Sequence, residues 1–202
     1  MSTAAPTPVR RSVPRSKVVS VLLAVALLTL AAVGYRLSDD DRDFSVVRGR
    51  YGEFAPLDAG SVRVDDVRVG TRLVAGSGDP VSTAGLFVVL RVTVRAPGRE
   101  DLPLNHFSLL AQGTTYAPVG ALTAVSADPG FEGSGDVAFE VAPDRMTNLT
   151  LEAWSTQGFV VAYGERLRVH LGVTAENADA WRQAGQDRRV VTAITVVTRG
   201  LE

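Results

Sequence analysis

The chain has 202 residues, 46% of them apolar and 21% charged, with 19 Gly, 10 Pro and no Cys. That composition excludes collagen and disorder, and the missing thiols exclude disulfides, thiolate metal sites, cysteine nucleophiles and lipid attachment through cysteine. A net charge of −1 excludes the basic excess that nucleic-acid binding requires.

Residues 1–17 carry Arg10, Arg11, Arg15 and Lys17 and no acid, which leaves the following 185 residues a net −5. The uncharged run Val18–Tyr35 comes next. As a helix its 18 residues rise about 27 Å, close to the roughly 30 Å of bilayer hydrocarbon. Four cations precede the run, whereas Arg36 and the acidic segment Asp39–Asp43 follow it, so the positive-inside rule puts the N-terminus in the cytoplasm, with Tyr35 at the interface. The expected organisation is a cytoplasmic tail (1–17), one transmembrane helix in the lipid bilayer (18–35), a juxtamembrane linker (36–57) and an extracytoplasmic domain (58–202). A cleaved signal peptide competes with the anchor, because Ala32 and Gly34 place small residues three and one before a cut ahead of Tyr35. A buried globular helix is the third reading, and the other two export the domain.

In the linker, Gly49, Gly52 and Pro56 interrupt the chain, and Phe44–Val47 is the one apolar patch, a short strand or docking segment. The acids of 39–43 lack the ligand spacing of a calcium loop and read as a solvated stalk.

From residue 60 the hydrophobic period is two. Ser61–Val69 alternates through Val62 and Val64, shifts phase at Asp65-Asp66 and resumes at Val67 and Val69, which predicts a strand with a β-bulge. Phe87–Arg95 is rich in β-branched residues and predicts a central strand, closed by a turn at 96–99. Further strands are expected at 107–111, 114–117, 136–141, 149–154, 159–163, 167–173 and 190–198, with turns at Gly76-Ser77-Gly78 and Gly133-Ser134-Gly135. One stretch departs from this: Thr174–Ala184, with acids in its first turn and Gly185 as a stop, predicts a short helix that packs Trp181 on the sheets. Many short strands without βαβ alternation make an all-β fold, an antiparallel two-sheet sandwich of immunoglobulin-like look.

Residues 85–154 carry a resemblance. Gly85–Arg95, then Leu102–Tyr116, then Pro129-Gly130 leading into Asp136–Val141 and Leu149–Leu151, resemble in strand and turn spacing a family of bacterial exported immunoglobulin-like domains of unknown function. The resemblance implies an exported or membrane-anchored domain with no known catalysis. The chain departs from the family in its Ala-Pro-Gly turn after the long strand and in residues 155–202, which run past the usual end. Twenty arginines against a single lysine, Lys17, suggest a GC-rich, actinobacterial source.

No set of residues has catalytic spacing. His106 and His170 are the only histidines, and neither has a second His or paired acid at metal-ligand spacing, so no metal or cofactor is expected. There is no strained serine elbow, phosphate loop or dinucleotide fingerprint. Phe87, Phe107, Tyr116, Phe139 and Trp154 fall where a sandwich core takes aromatics. Phe131, in the Gly-rich stretch 128–135, reads as a ring at a loop tip, and with His106 it forms the candidate interaction loop. The expected function is a non-enzymatic single-pass protein whose sandwich binds another envelope or membrane protein. The alternative is a small-molecule or polysaccharide binding module at the envelope.

Overall fold

The computed structural model describes Thr29 and residues 45–120, 123–156, 164–193 and 195–201. The chain divides into two units, Met1–Arg42 and Asp43–Glu202, and the second holds all of the strands described. In chain order these are β1 (Ser45–Arg50), β2 (Ala55–Leu57), β3 (Gly60–Ala75), β4 (Val81–Ala96), β5 (Leu102–Leu104), β6 (His106–Ala111), β7 (Thr114–Tyr116), β8 (Pro118–Val119), β9 (Val125–Ala127), β10 (Phe131–Val141), β11 (Thr150–Trp154), β12 (Glu165–His170), β13 (Arg189–Thr192) and β14 (Val197–Gly200); one helix, α1 (Ala178–Gly185), separates β12 from β13.

Two sheets result. A five-stranded sheet runs β1-β12-β11-β6-β7, and a seven-stranded sheet runs β13-β3-β4-β10-β14 with β2 on β3 and β8 on β10; β5 and β9 form a separate ribbon. The alternation seen in the sequence puts Val62, Val64, Val88, Leu90, Val92 and Phe139 of the larger sheet in one buried cluster with Phe107, Leu109, Leu151, Leu167 and Val169 of the smaller. Each such side chain contributes about 1.5–3 kcal/mol on burial, so the facing apolar rows hold the sandwich together.

The phase shift at Asp65-Asp66 is a bulge. Val64 pairs with Val92 and Asp66 with Arg91, leaving Asp65 as the extra residue. The strand therefore keeps Val62, Val64, Val67 and Val69 in the core on both sides of the irregularity. The short helix also forms, starting at Ala178 where Thr174 was expected to begin it, and Trp181 packs on the core. It lies close because Gly185 has no side chain: a Cβ there would stand 2.9 Å from Leu86 Cδ2.

Four expectations need correction. The segment 45–57, read as linker, is part of the sandwich, since β1 pairs with β12 and β2 with β3. The sandwich is not wholly antiparallel: β1–β12 and β13–β3 are parallel pairs. Both put a strand at a sheet edge, and the intervening segments are long enough for the crossover that parallel pairing needs. Gly133-Ser134-Gly135 is no turn but the middle of β10, hydrogen-bonded to β4 and β14. A Cβ on Gly133 would stand 1.9 Å from the Ser126 carbonyl oxygen, so glycine there admits the β5–β9 ribbon and serves no turn. The strand expected at 190–198 is two, β13 and β14, on opposite edges of the larger sheet. The expected strand 159–163 and, Thr29 apart, the expected membrane span and the linker to residue 44 lie outside the described residues. No helix among the described residues is long and apolar enough to cross a membrane.

Candidate functional site

Because Leu151, Ala153, Leu167, Val169, Phe107 and Leu109 face the core, the residues between them form the outer surface of the five-stranded sheet. The register sets them in three rows. Arg166, Trp154 and His106 lie side by side across β12, β11 and β6, as do Arg48, Arg168, Glu152 and Ser108 from β1 to β6, and then Arg50, His170, Thr150 and Leu110. In the first row the imidazole of His106 stacks on the indole of Trp154, with centroids 5.2 Å apart and planes 7° from parallel, and the Arg166 guanidinium carbon stands 4.7 Å from the indole centroid on a cation–π contact. In the second, Glu152, buried to 5% exposure, is held by the Arg168 Nε–H, faces Arg166 at 4.0 Å and accepts from Ser108 Oγ at 3.4 Å. In the third, His170 Nδ1 and Thr150 Oγ1 are 2.8 Å apart.

The outer surface of the seven-stranded sheet is built differently. Asp136 on β10 is 2% exposed, and Arg91 grips it with two bonds, Nε to Oδ1 at 2.8 Å and Nη2 to Oδ2 at 3.0 Å. Arg68 Nη2 stands 2.8 Å from Oδ1, and the Ala193 N–H donates to Oδ2 at 3.0 Å. Burial penalises the Asp136 charge, yet Arg91, the Ala193 N–H and Arg68 outweigh that and hold its carboxyl below the usual range. The same carboxylate raises Arg91. Arg63 pairs with Asp65, and Arg95 Nε pairs with Glu132 at 2.6 Å; both guanidinium groups also lie over the Phe54 ring, at 4.3 and 3.9 Å. Residue 193 follows β13 directly, so this bond ties the end of β13 to Asp136 on β10.

The two residues of the expected interaction loop occupy different sheets. His106 opens β6 on the outer surface of the smaller sheet, where its partners are Trp154 and Thr156, the latter with Oγ1 2.8 Å from Nε2. Phe131 is the first residue of β10, paired with Ala96 and Gly200, and its ring is 44% exposed at the rim of the larger sheet. They lie on strands of different sheets, so they do not form one loop. Beside Phe131, β14 ends the sheet: all four of its residues are exposed, and Val197 is 64% exposed. Trp154, expected in the core, stands on the outer surface instead, because core-facing parity in β11 belongs to Leu151 and Ala153. Phe107 and Phe139 are core residues, and Phe87 is buried in a second small cluster with Leu73, Val89, Ala138 and Val190.

A cleft of about 200 Å³ opens at one end of the sandwich, lined by Leu57, Asp58, Leu102, Leu104, Ser155 and Glu165 among others. The Asp58 N–H donates to Glu165 Oε2 at 2.5 Å across it, and Ser155 Oγ is buried there without a hydrogen-bond partner among the described residues. No three acidic or histidine side chains converge as metal ligands among the described residues. The two most buried carboxylates, Asp136 and Glu152, are each committed to guanidinium groups, an arrangement that binds and positions but leaves neither to take a proton from a substrate. Sequence reasoning missed the arginine rows: a period-two pattern of Arg and His in 165–170 and 48–50 was visible, but which strands lie side by side was not.

No protein-family model matches the chain, and no curated protein matches it. Among solved structures the chain is similar to the yjhA protein of Bacillus subtilis, at 16% identity and a TM-score of 0.48 over 60% of this chain and 97% of that one. It is similar also to the ycdA protein of Bacillus subtilis, at 14% identity and a TM-score of 0.46 over 64% and 41%. An uncharacterized β-sandwich protein of Clostridium difficile 630 shares 10% identity, with a TM-score of 0.40 over 63% and 95%. The assignment of a β-sandwich stands on the strand topology of the chain itself.

Proposed function

We propose that the protein is a non-enzymatic, single-pass membrane protein that presents its β-sandwich outside the cytoplasm and docks another envelope protein. The observation that carries this reading is the open edge at β14. Among the described residues it is hydrogen-bonded to β10 on one side only and it is exposed throughout, with Val197 on one face of the rim and Phe131 on the other offering apolar surface beside unpaired backbone groups. Such an edge accepts an added strand from a partner, which gains main-chain hydrogen bonds and an apolar anchor together. The anchor rests on the run Val18–Tyr35 and the charge asymmetry around it.

A photoreactive group at position 197 in the full chain, activated in its own membranes, tests the reading. One protein captured reproducibly there, and lost when Thr198→Pro spoils the edge, is the expected result. Capture unaffected by Thr198→Pro, or no protein captured, overturns it. The end cleft favours a second reading, a small-molecule or sugar module, because apolar Leu57, Leu102 and Leu104 meet polar Asp58, Ser155 and Glu165 there. A thermal-shift screen with wall sugars decides it: a shift removed by Leu102→Trp supports the module, and no shift with any sugar counts against it.

A further inference from the structure

Two successive register positions of the five-stranded sheet set basic groups side by side. In the parallel pair β1–β12, Arg48 lies beside Arg168 and Arg50 beside His170. All four are on the outer surface, since Val47, Leu167 and Val169 pack on the core. Neighbouring strands run about 4.8 Å apart, and like charges at adjacent positions of a sheet weaken it. Glu152 is already held between Arg166 and Arg168, which are themselves engaged and leave it no reach to β1. Arg48 and Arg50 are exposed and reach no carboxylate among the described residues. A threonine at 48 suits a strand better and removes the repulsion, so the arrangement gains only when an anion covers it.

Chain order and surface chemistry identify the cover. β1 is the first strand of the sandwich, and with Val18–Tyr35 as a span the nine residues 36–44 let Ser45 stand at most about 30 Å from the bilayer. The surface is built for charge and not for insertion: Val46 and Leu110 are half-buried, and the Trp154 ring is held between His106 and Arg166. Neutral sugar would leave the arginines unpaired, whereas a layer of phosphodiesters matches their exposed guanidinium groups.

We propose that the Arg48–Arg50 edge of the five-stranded sheet binds anionic phospholipid headgroups of the membrane that anchors the chain, holding the sandwich against the bilayer; this rests on the anchor reading above. Each arginine at an anionic surface strengthens such binding roughly fivefold, an effect that salt screens.

The test places the full chain in bilayer discs of phosphatidylcholine, with and without phosphatidylglycerol, and follows amide hydrogen exchange along the sandwich. The expected result is that Ser45–Arg50 and Glu165–His170 exchange several-fold more slowly on the anionic discs, that high salt abolishes the difference, and that Arg48→Gln/Arg50→Gln removes it while β3 and β10 exchange as before. Equal exchange on both discs overturns the proposal, as does slowing that survives the double substitution. Retention of the chain on discs after a high-salt wash reports on the anchor separately: a chain that washes off contradicts the anchor, and headgroup-dependent slowing at low salt then still supports the Arg48–Arg50 edge.

Discussion

The outer surfaces of the two sheets draw on the same arginine-rich vocabulary and use it in opposite ways. Across β3, β4 and β10, four guanidinium groups (Arg63, Arg68, Arg91, Arg95) meet four carboxylates (Asp65, Asp66, Asp136, Glu132), and the Ala193 N–H adds a backbone bond to Asp136. Across β1 and β12, Arg48 and Arg50 meet no carboxylate among the described residues, while their neighbours Arg166 and Arg168 are engaged, both with Glu152. A matched surface is a structural joint, because a buried pair stabilises only while both partners are present. An unmatched one stores repulsion that a ligand relieves. The difference separates what holds the fold from what the fold offers.

Breaking the matched surface has the largest expected effect. Asp136→Ala strands Arg91 and Arg68 and frees the Ala193 N–H, with an expected loss of about 3–5 kcal/mol in denaturant unfolding of the detergent-solubilised chain. The effect has a pH signature. Since folding lowers the Asp136 pKa, its contribution is complete above about pH 4, the ordinary aspartate value, and drains away as pH falls through the lowered value. Asp136→Asn therefore flattens that part of the acid limb of a stability–pH curve; an unchanged limb would refute the assignment.

Glu152→Ala comes next, with an expected cost of about 2–3 kcal/mol, because Arg168 and the buried Arg166, 8% exposed, both lose a carboxylate partner. Part of this cost is repulsion among the remaining arginines, so added salt should recover part of it in the same unfolding assay, whereas salt leaves Asp136→Ala nearly unrepaired. His106→Ala follows at about 0.5–1 kcal/mol, the worth of one exposed stacked pair, and shows as a change in Trp154 fluorescence.

Legibility divides along a similar line. Period-two runs and a phase slip are local, so the central strand, the Asp65 bulge and the sandwich class were readable from Val62, Val64, Val67 and Val69 and from Phe87–Arg95. Pairing between distant segments is not local. Nothing in Ser45–Arg50 announces that its partner is 120 residues away and parallel, and that pairing alone sets Arg48 beside Arg168. Gly133 misled because glycine signals both a turn and a close approach, and only the Ser126 carbonyl distinguishes them. His106 stood out as a candidate contact residue, but its neighbour Trp154 read as core, since an aromatic in a strand carries no mark of which face it takes.

The smallest expected effect is the most direct test. Arg48→Thr/Arg50→Thr, unfolded by denaturant at low salt with no anionic lipid present, should leave the fold as stable as before or firmer by a few tenths of a kcal/mol, because repulsion is removed and no partner is lost. The unsubstituted chain should close that gap as salt is added. A loss of 1 kcal/mol or more, measured as about a fivefold fall in the folding equilibrium constant, would contradict the account, for it would mean these arginines hold the sandwich together and present nothing to a ligand.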